Sequence, residues 1–252
     1  MFILLYFYDI VYVHARRRRG LIMIIGGLQK LTLLDYPEHV ACSVFLKGCN
    51  FCCPFCYNSS LIDADDKLGF IDEQEFFNFL NKRKGILDGV AITGGEPLLQ
   101  KDIVKFIKKI KELGYAVKLD TNGSIYDTLR LLIDQRLVDY VAMDIKNSLE
   151  KYPLTSGCNC NVSNVEKSIK LLLENKVDYE FRTTIVKEFH NESDLKKIGQ
   201  MIKGAKRYFI QSYTFKESVI DKTLHAHSKE KLEEFKNIVA EYVANTSLRG
   251  ID

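Results

Sequence analysis

The stretch Gly48-Cys49-Asn50-Phe51-Cys52-Cys53-Pro54-Phe55-Cys56-Tyr57-Asn58 decides how the rest of the chain is read. Cys49, Cys53 and Cys56 stand as C-x3-C-x2-C. Three thiolates this close on one loop can hold three irons of a single cubane. A [4Fe-4S] cluster ordinarily takes four cysteines, so three leave one iron open to a substrate. The apolar run Val40 to Leu46 just before it reads as a strand, from whose end the loop hangs. Two other readings compete. A tetrathiolate zinc site could use Cys49, Cys52, Cys53 and Cys56, but zinc ribbons separate two C-x2-C knuckles by roughly 15 to 20 residues. Here the knuckles abut, and Cys52 and Cys53 cannot both turn toward one tetrahedral centre without strain. Chance clustering of buried cysteines is the third reading.

Working outward, the 252 residues make one large domain or two small ones. The formal charge of +3 is local. Arg16 to Arg19 against Asp9 account for all of it, so the chain from Met23 onward sums to zero. Nothing in that balance argues for a nucleic-acid partner. The seven cysteines show no disulfide-framework spacing, which points to a reducing compartment and hence the cytoplasm. Cys158 and Cys160 form a C-x-C, read as two ordinary thiols; as a metal site they supply too few ligands by themselves.

Residues 1–22 are unusual. Phe2 to Ala15 is largely apolar and four arginines follow. The run is too short to span a bilayer comfortably, and its charge follows the apolar part, the reverse of a secretory signal. No stable membrane insertion is expected. The preferred reading is an upstream extension of doubtful authenticity, with Met23 opening the domain proper at residues 23–252. A membrane-surface anchor is the alternative.

From Met23 the pattern is regular. Ile24 to Leu34 is a short strand or ribbon ending at Asp35-Tyr36-Pro37. Strands are then expected at Val40–Leu46, Gly89–Thr93, Ala116–Asp120, Tyr140–Ile145, Tyr179–Val186 and Tyr208–Gln211. Helices are expected at Asp72–Lys82, Lys101–Leu113, Ile125–Gln135, Val162–Glu174, Ser193–Lys203 and from about Lys229 to Ala244. Apolar strands alternating with helices imply parallel βα units. Six of them suggest an α/β fold with an incomplete (β/α)6 barrel; a doubly wound open sheet is the alternative.

The unusual polar residues fall at the carboxyl ends of these strands, where barrel enzymes place their sites. Gly94-Gly95-Glu96-Pro97 follows the second strand and Asp120-Thr121-Asn122-Gly123 the third. Asp144-Ile145-Lys146 follows the fourth, Arg182, Thr183 and Thr184 lie in the fifth, and Gln211 ends the sixth. Singly, each reads as turn punctuation. Together, beside a three-cysteine loop, they make one rim.

With Phe55 before the last cysteine, the loop resembles the signature of the radical S-adenosylmethionine (SAM) superfamily, and the resemblance extends over residues 24 to about 212. It implies a TIM-like barrel, one [4Fe-4S] cluster on Cys49, Cys53 and Cys56, and SAM as cosubstrate; Cys52 has no role. Gly94, Gly95, Glu96 and Pro97 would meet the SAM amino group, with glycine letting the backbone approach and Glu96 acting directly or through the turn. Asp120, Asn122, Asp144 and Lys146 fall in the SAM-binding motifs. Asp144 and Lys146 would serve the ribose and carboxylate regions, and Asp120 would help form a monovalent-cation site. Gly27-Leu28-x4-Leu33-Leu34-Asp35-Tyr36-Pro37 is similar to activating proteins of anaerobic ribonucleotide reductases. In that case a 5′-deoxyadenosyl radical takes hydrogen from a glycine α-carbon of a partner glycyl-radical enzyme, and a flavodoxin or ferredoxin supplies the electron. Arg182 is a candidate for the cofactor site or for the backbone carbonyls of the entering loop; an ion pair with Glu180 or another acidic rim residue is its plainer reading. Tyr57 stands where these activases often carry His, and Cys52 where a basic residue is common. A small-molecule enzyme, such as a 7-carboxy-7-deazaguanine synthase-like mutase, shares the loop. A non-catalytic metal-binding scaffold is a third class.

Overall fold

The computed structural model describes residues 23–63 and 70–251. The readings of residues 1–22 lie outside the described residues. Among the described residues eight strands form one sheet in chain order: β1 Ile25–Thr32, β2 Ala41–Leu46, β3 Gly89–Gly94, β4 Ala116–Thr121, β5 Tyr140–Asp144, β6 Asp178–Ile185, β7 Tyr208–Ser212 and β8 Thr246–Arg249. From β2 to β8 every neighbouring pair is parallel, and β1 runs antiparallel along β2. β1 and β8 do not pair, so the barrel is incomplete. The six expected strands are β2 to β7, and the ribbon is β1. The eighth strand was not expected. Its four residues, Thr-Ser-Leu-Arg, are too few to carry a periodicity.

The crossovers carry helices α1 Glu73–Lys82, α2 Ile103–Glu112, α3 Tyr126–Asp134, α4 Tyr152–Ser156, α5 Val162–Leu173, α6 Glu192–Met201 and α7 Lys229–Ala240. Their starts follow from local chemistry. Asp72 accepts from the Gln74 N–H at 2.7 Å, ahead of Glu73 and Glu75 in the first turn, and Asn191 with Asp194 forms a reciprocal capping box. The last helix stops four residues short of the expected Ala244, which frees the chain to return as β8.

Side chains alternate across each strand, and the two faces of this sheet differ in chemistry. The outer residues Val44, Ile92, Leu119, Val141, Phe181 and Ile210 join Phe76, Phe106, Leu132, Leu172, Ile198 and Phe235 of the helices in the main core. On the inner face a small apolar plug of Tyr36, Ala41, Tyr140 and Ala142 closes the amino end of the strands. Above the plug the interior is charged, with Lys118, Asp120, Asp144, Glu180, Arg182 and Arg249 along it. Barrel enzymes usually fill that space with branched apolar side chains. Here polar groups keep a cavity open at the carboxyl ends.

Candidate active site

The cavity holds about 370 Å³. Cys49, Cys53 and Cys56 all line it, as do Gly94, Gly95, Asp120, Asn122, Asp144, Lys146 and Arg182. Cys52 is exposed and does not face it. Glu96 and Pro97 also lie outside the wall. Glu96 is fully buried and works through the turn: its Oε1 accepts from the Leu98 N–H at 3.1 Å and the Thr121 hydroxyl at 2.9 Å, and its Oε2 from the Asn122 N–H at 2.7 Å. One carboxylate therefore ties the end of β3 to the end of β4. Burial pushes it up to about 7 against these three donors.

The two glycines have a structural reason that the motif did not disclose. A Cβ on Gly95 would sit 2.1 Å from the Gly48 carbonyl oxygen, and one on Gly94 2.3 Å from that of Leu46, with φ at +121° there. The β3 turn is pressed against the backbone that leads into the cysteine loop, and the Gly95 and Glu96 N–H groups donate to Leu46 and Gly48 at 2.8 Å each. On the other flank, Asn50 donates to Ser124 Oγ at 2.8 Å and accepts from Asn122 Nδ2 at 3.0 Å. The loop thus hangs between the ends of β3 and β4.

The charged groups form a network across the floor. Arg182 bridges Asp144 through Nε and Asp120 at 3.1 Å. Lys146 donates to Asp144 at 2.9 Å, and Lys118 pairs with Asp120. Burial alone would raise Asp144, but the Arg182 and Lys146 cations outweigh it and hold the carboxyl far below the usual range. Asp120 is lowered in the same way by Arg182 and Lys118, so both of its oxygens are already engaged by side-chain cations. Of the acidic rim residues, Asp120 and Asp144 pair with Arg182, which also lines the cavity; Glu180 pairs with Arg249, at 2.7 and 3.0 Å, and accepts from Tyr140 at 2.7 Å. Arg249 also lies over the Phe209 ring, 3.3 Å from its centre. Arg249 and Gly250 line the cavity beside Gln211 and Thr184. Sequence reasoning missed them because they depend on the unexpected β8.

Burial pushes the Cys49 and Cys53 thiols up to about 12. Ligation requires thiolates, so loading metal here displaces protons. Among the described residues no three His, Cys, Asp or Glu side chains converge as a single ion requires, and Cys52, which a tetrathiolate site would need, does not line the cavity that the other three cysteines share. A cubane asks for something else, several thiols around one space, and Cys49, Cys53 and Cys56 all line this one cavity. Among the described residues no helix is long and apolar enough to cross a membrane.

The sequence matches the radical SAM superfamily over residues 43–202. The chain belongs to that superfamily. Membership implies a [4Fe-4S] cluster and SAM. A Methanocaldococcus jannaschii protein, provisionally named a glycyl-radical enzyme activating enzyme, is 33% identical over 236 residues, which are 91% of this chain and 97% of the relative. The 7-carboxy-7-deazaguanine synthase of Clostridium acetobutylicum is 30% identical over 154 residues, 59% of this chain and 67% of that protein. Among solved structures, a domain of a pyruvate-formate lyase-activating enzyme from Bacteroides vulgatus superposes with a TM-score of 0.54 at 18% identity, covering 64% of this chain and 99% of that one. SAM-bound SuiB of Streptococcus suis superposes at 0.63 and 15% identity, covering 80% of this chain and 48% of SuiB. Both share the open α/β fold.

Proposed function

We propose that this radical SAM protein is a cytoplasmic activase that places a glycyl radical on a partner enzyme, an anaerobic ribonucleotide reductase. One observation carries the reading: the activating-enzyme relative aligns over nearly the whole of both chains, so the likeness covers the rim as well as the cysteine loop. The open sheet agrees with it. The cavity opens at the carboxyl ends of β3 to β8 in a sheet whose first and last strands do not pair with each other, which leaves room for a loop of another chain.

In this reading Cys49, Cys53 and Cys56 would hold the cluster, and SAM would bind beside it in the same cavity. When bound, the cluster supplies the electron that breaks the sulfonium bond, delivered by a flavodoxin or ferredoxin. The chain's own residues position and insulate. The Gly94–Gly95 turn offers backbone groups at the cavity wall, and Glu96 fixes that turn from below. Asp144 and Lys146 meet SAM as a charged pair, and Arg182 holds Asp144 in place. Phe51 and Phe55 exclude water beside the cysteines.

The second reading is a small-molecule enzyme, favoured by the 7-carboxy-7-deazaguanine synthase likeness over 154 residues. The test mixes reduced protein, SAM and the candidate reductase without oxygen. A glycyl doublet by electron paramagnetic resonance that needs Cys53 supports the activase. SAM turnover with conversion of a small molecule and no protein radical overturns it.

A further inference from the structure

Cys158 and Cys160 take no part in the site above. They follow α4 on a tight turn in which the Cys160 N–H donates to the Cys158 carbonyl at 2.9 Å. A three-residue turn folds its first and third residues toward each other. Both thiols reach one hydroxyl: Ser156 Oγ lies 3.6 Å from Cys158 Sγ and 3.5 Å from Cys160 Sγ. One hydroxyl oxygen therefore touches both sulfurs. Both are half-buried, with Asn159 exposed between them, so small molecules can reach the pair. Among the described residues no third His, Cys, Asp or Glu completes a metal site here. The remaining chemistry of two adjacent thiols is redox.

The turn is also clamped to the cysteine loop. The Cys158 thiol reaches the Asn50 carbonyl at 3.4 Å, and the Cys52 N–H donates to the Ser156 carbonyl at 2.8 Å. At Gly157, with φ at +68°, a Cβ would sit 2.0 Å from the Cys52 carbonyl oxygen. Glycine is therefore required where the two loops touch, and this contact holds the pair beside Cys52 in a fixed place.

We propose that Cys158 and Cys160 form a reversible thiol–disulfide site whose redox partner is a low-molecular-weight disulfide. One cysteine thiolate attacks the small disulfide and releases one small thiol. The other cysteine then attacks the mixed disulfide, forms the Cys158–Cys160 bond and releases the second. Two protein thiols are oxidised, one small disulfide is reduced, and the two protons end on the released thiols.

The test uses the full, cluster-loaded chain, incubated without oxygen with oxidised glutathione, alkylated and digested with trypsin. Cys158 and Cys160 share the peptide Tyr152 to Lys167, and Cys52 lies in Gly48 to Lys67. The expected product is the first peptide unalkylated and two hydrogens lighter, restored by dithiothreitol, with the iron absorbance unchanged. Cys158→Ser and Cys160→Ser should each trap a lasting glutathione adduct on the remaining thiol, and Cys52→Ser should leave the disulfide intact. Full alkylation of both thiols overturns the proposal. So does a persistent glutathione adduct on the unsubstituted peptide, a cross-link to the Cys52 peptide, or parallel loss of iron. No outcome depends on SAM cleavage, so the result is independent of the proposed activity.

Discussion

Gly95→Ala probes how the cysteine loop is held. The added methyl would lie 2.1 Å from the Gly48 carbonyl oxygen, 2.7 Å from its carbon and 3.3 Å from Cys49 Cβ. The opposing atoms are backbone, so they cannot rotate away, and the two segments must separate by about 1 Å. Overpacking of this kind costs about 1–3 kcal/mol. The same separation strains the Gly95 and Glu96 N–H bonds to Leu46 and Gly48, at about 0.5–1.5 kcal/mol each. The sum is about 2–6 kcal/mol, a large part of the roughly 5–15 kcal/mol that stabilises an ordinary domain. Gly27→Ala is the matched control, because its Cβ meets nothing closer than 3.7 Å. Urea unfolding of anaerobically prepared protein should show a much lower midpoint for Gly95→Ala and almost none of this effect for Gly27→Ala. Iron content after reconstitution should fall in Gly95→Ala alone. If Gly95→Ala unfolds with the wild type and holds full iron, the contact does not set the loop.

Cys49→Ala, Cys53→Ala and Cys56→Ala should each lose the iron, about four per chain by cluster stoichiometry, while Cys52→Ala keeps it; iron and sulfide assays decide. Asp144→Asn should leave iron intact, weaken SAM binding by calorimetry, and cost about 3 kcal/mol in urea, because Arg182 and Lys146 lose their shared partner. Glu96 is raised from 4.5 to about 7 in the fold, so it binds its proton more tightly folded than unfolded. Its contribution to stability is complete below about pH 4.5 and is lost as pH rises to about 7. Glu96→Gln has no such slope and should gain on the wild type by about 2 kcal/mol between about pH 5.5 and pH 8, read from paired urea titrations. A chain beginning at Met23 should fold and hold iron as the longer chain does; insoluble or iron-free protein would refute the extension reading.

The sequence by itself determined the layered architecture. Strand and helix periods are local properties of ten or so residues, which is why β2 to β7 and the long helices are legible in the pattern. The C-x3-C-x2-C spacing is equally local, and it points to the chemistry without any tertiary contact. Tertiary structure decided everything that depends on residues distant in sequence meeting. β8 exists because β7 offers an edge to a four-residue segment, and only then do Arg249 and Gly250 reach the cavity. Arg182 and Glu180 are two apart on one strand, yet they choose different partners, because one faces Asp120 and Asp144 and the other meets Arg249. Glu96, which the sequence leaves open between direct action and support of the turn, lies beneath the cavity wall, since two backbone N–H groups and one hydroxyl converge on it. Cys158 and Cys160 were two ordinary thiols in the pattern. Ser156 between their sulfurs and Gly157 against Cys52 are contacts of folding, and no spacing rule encodes them.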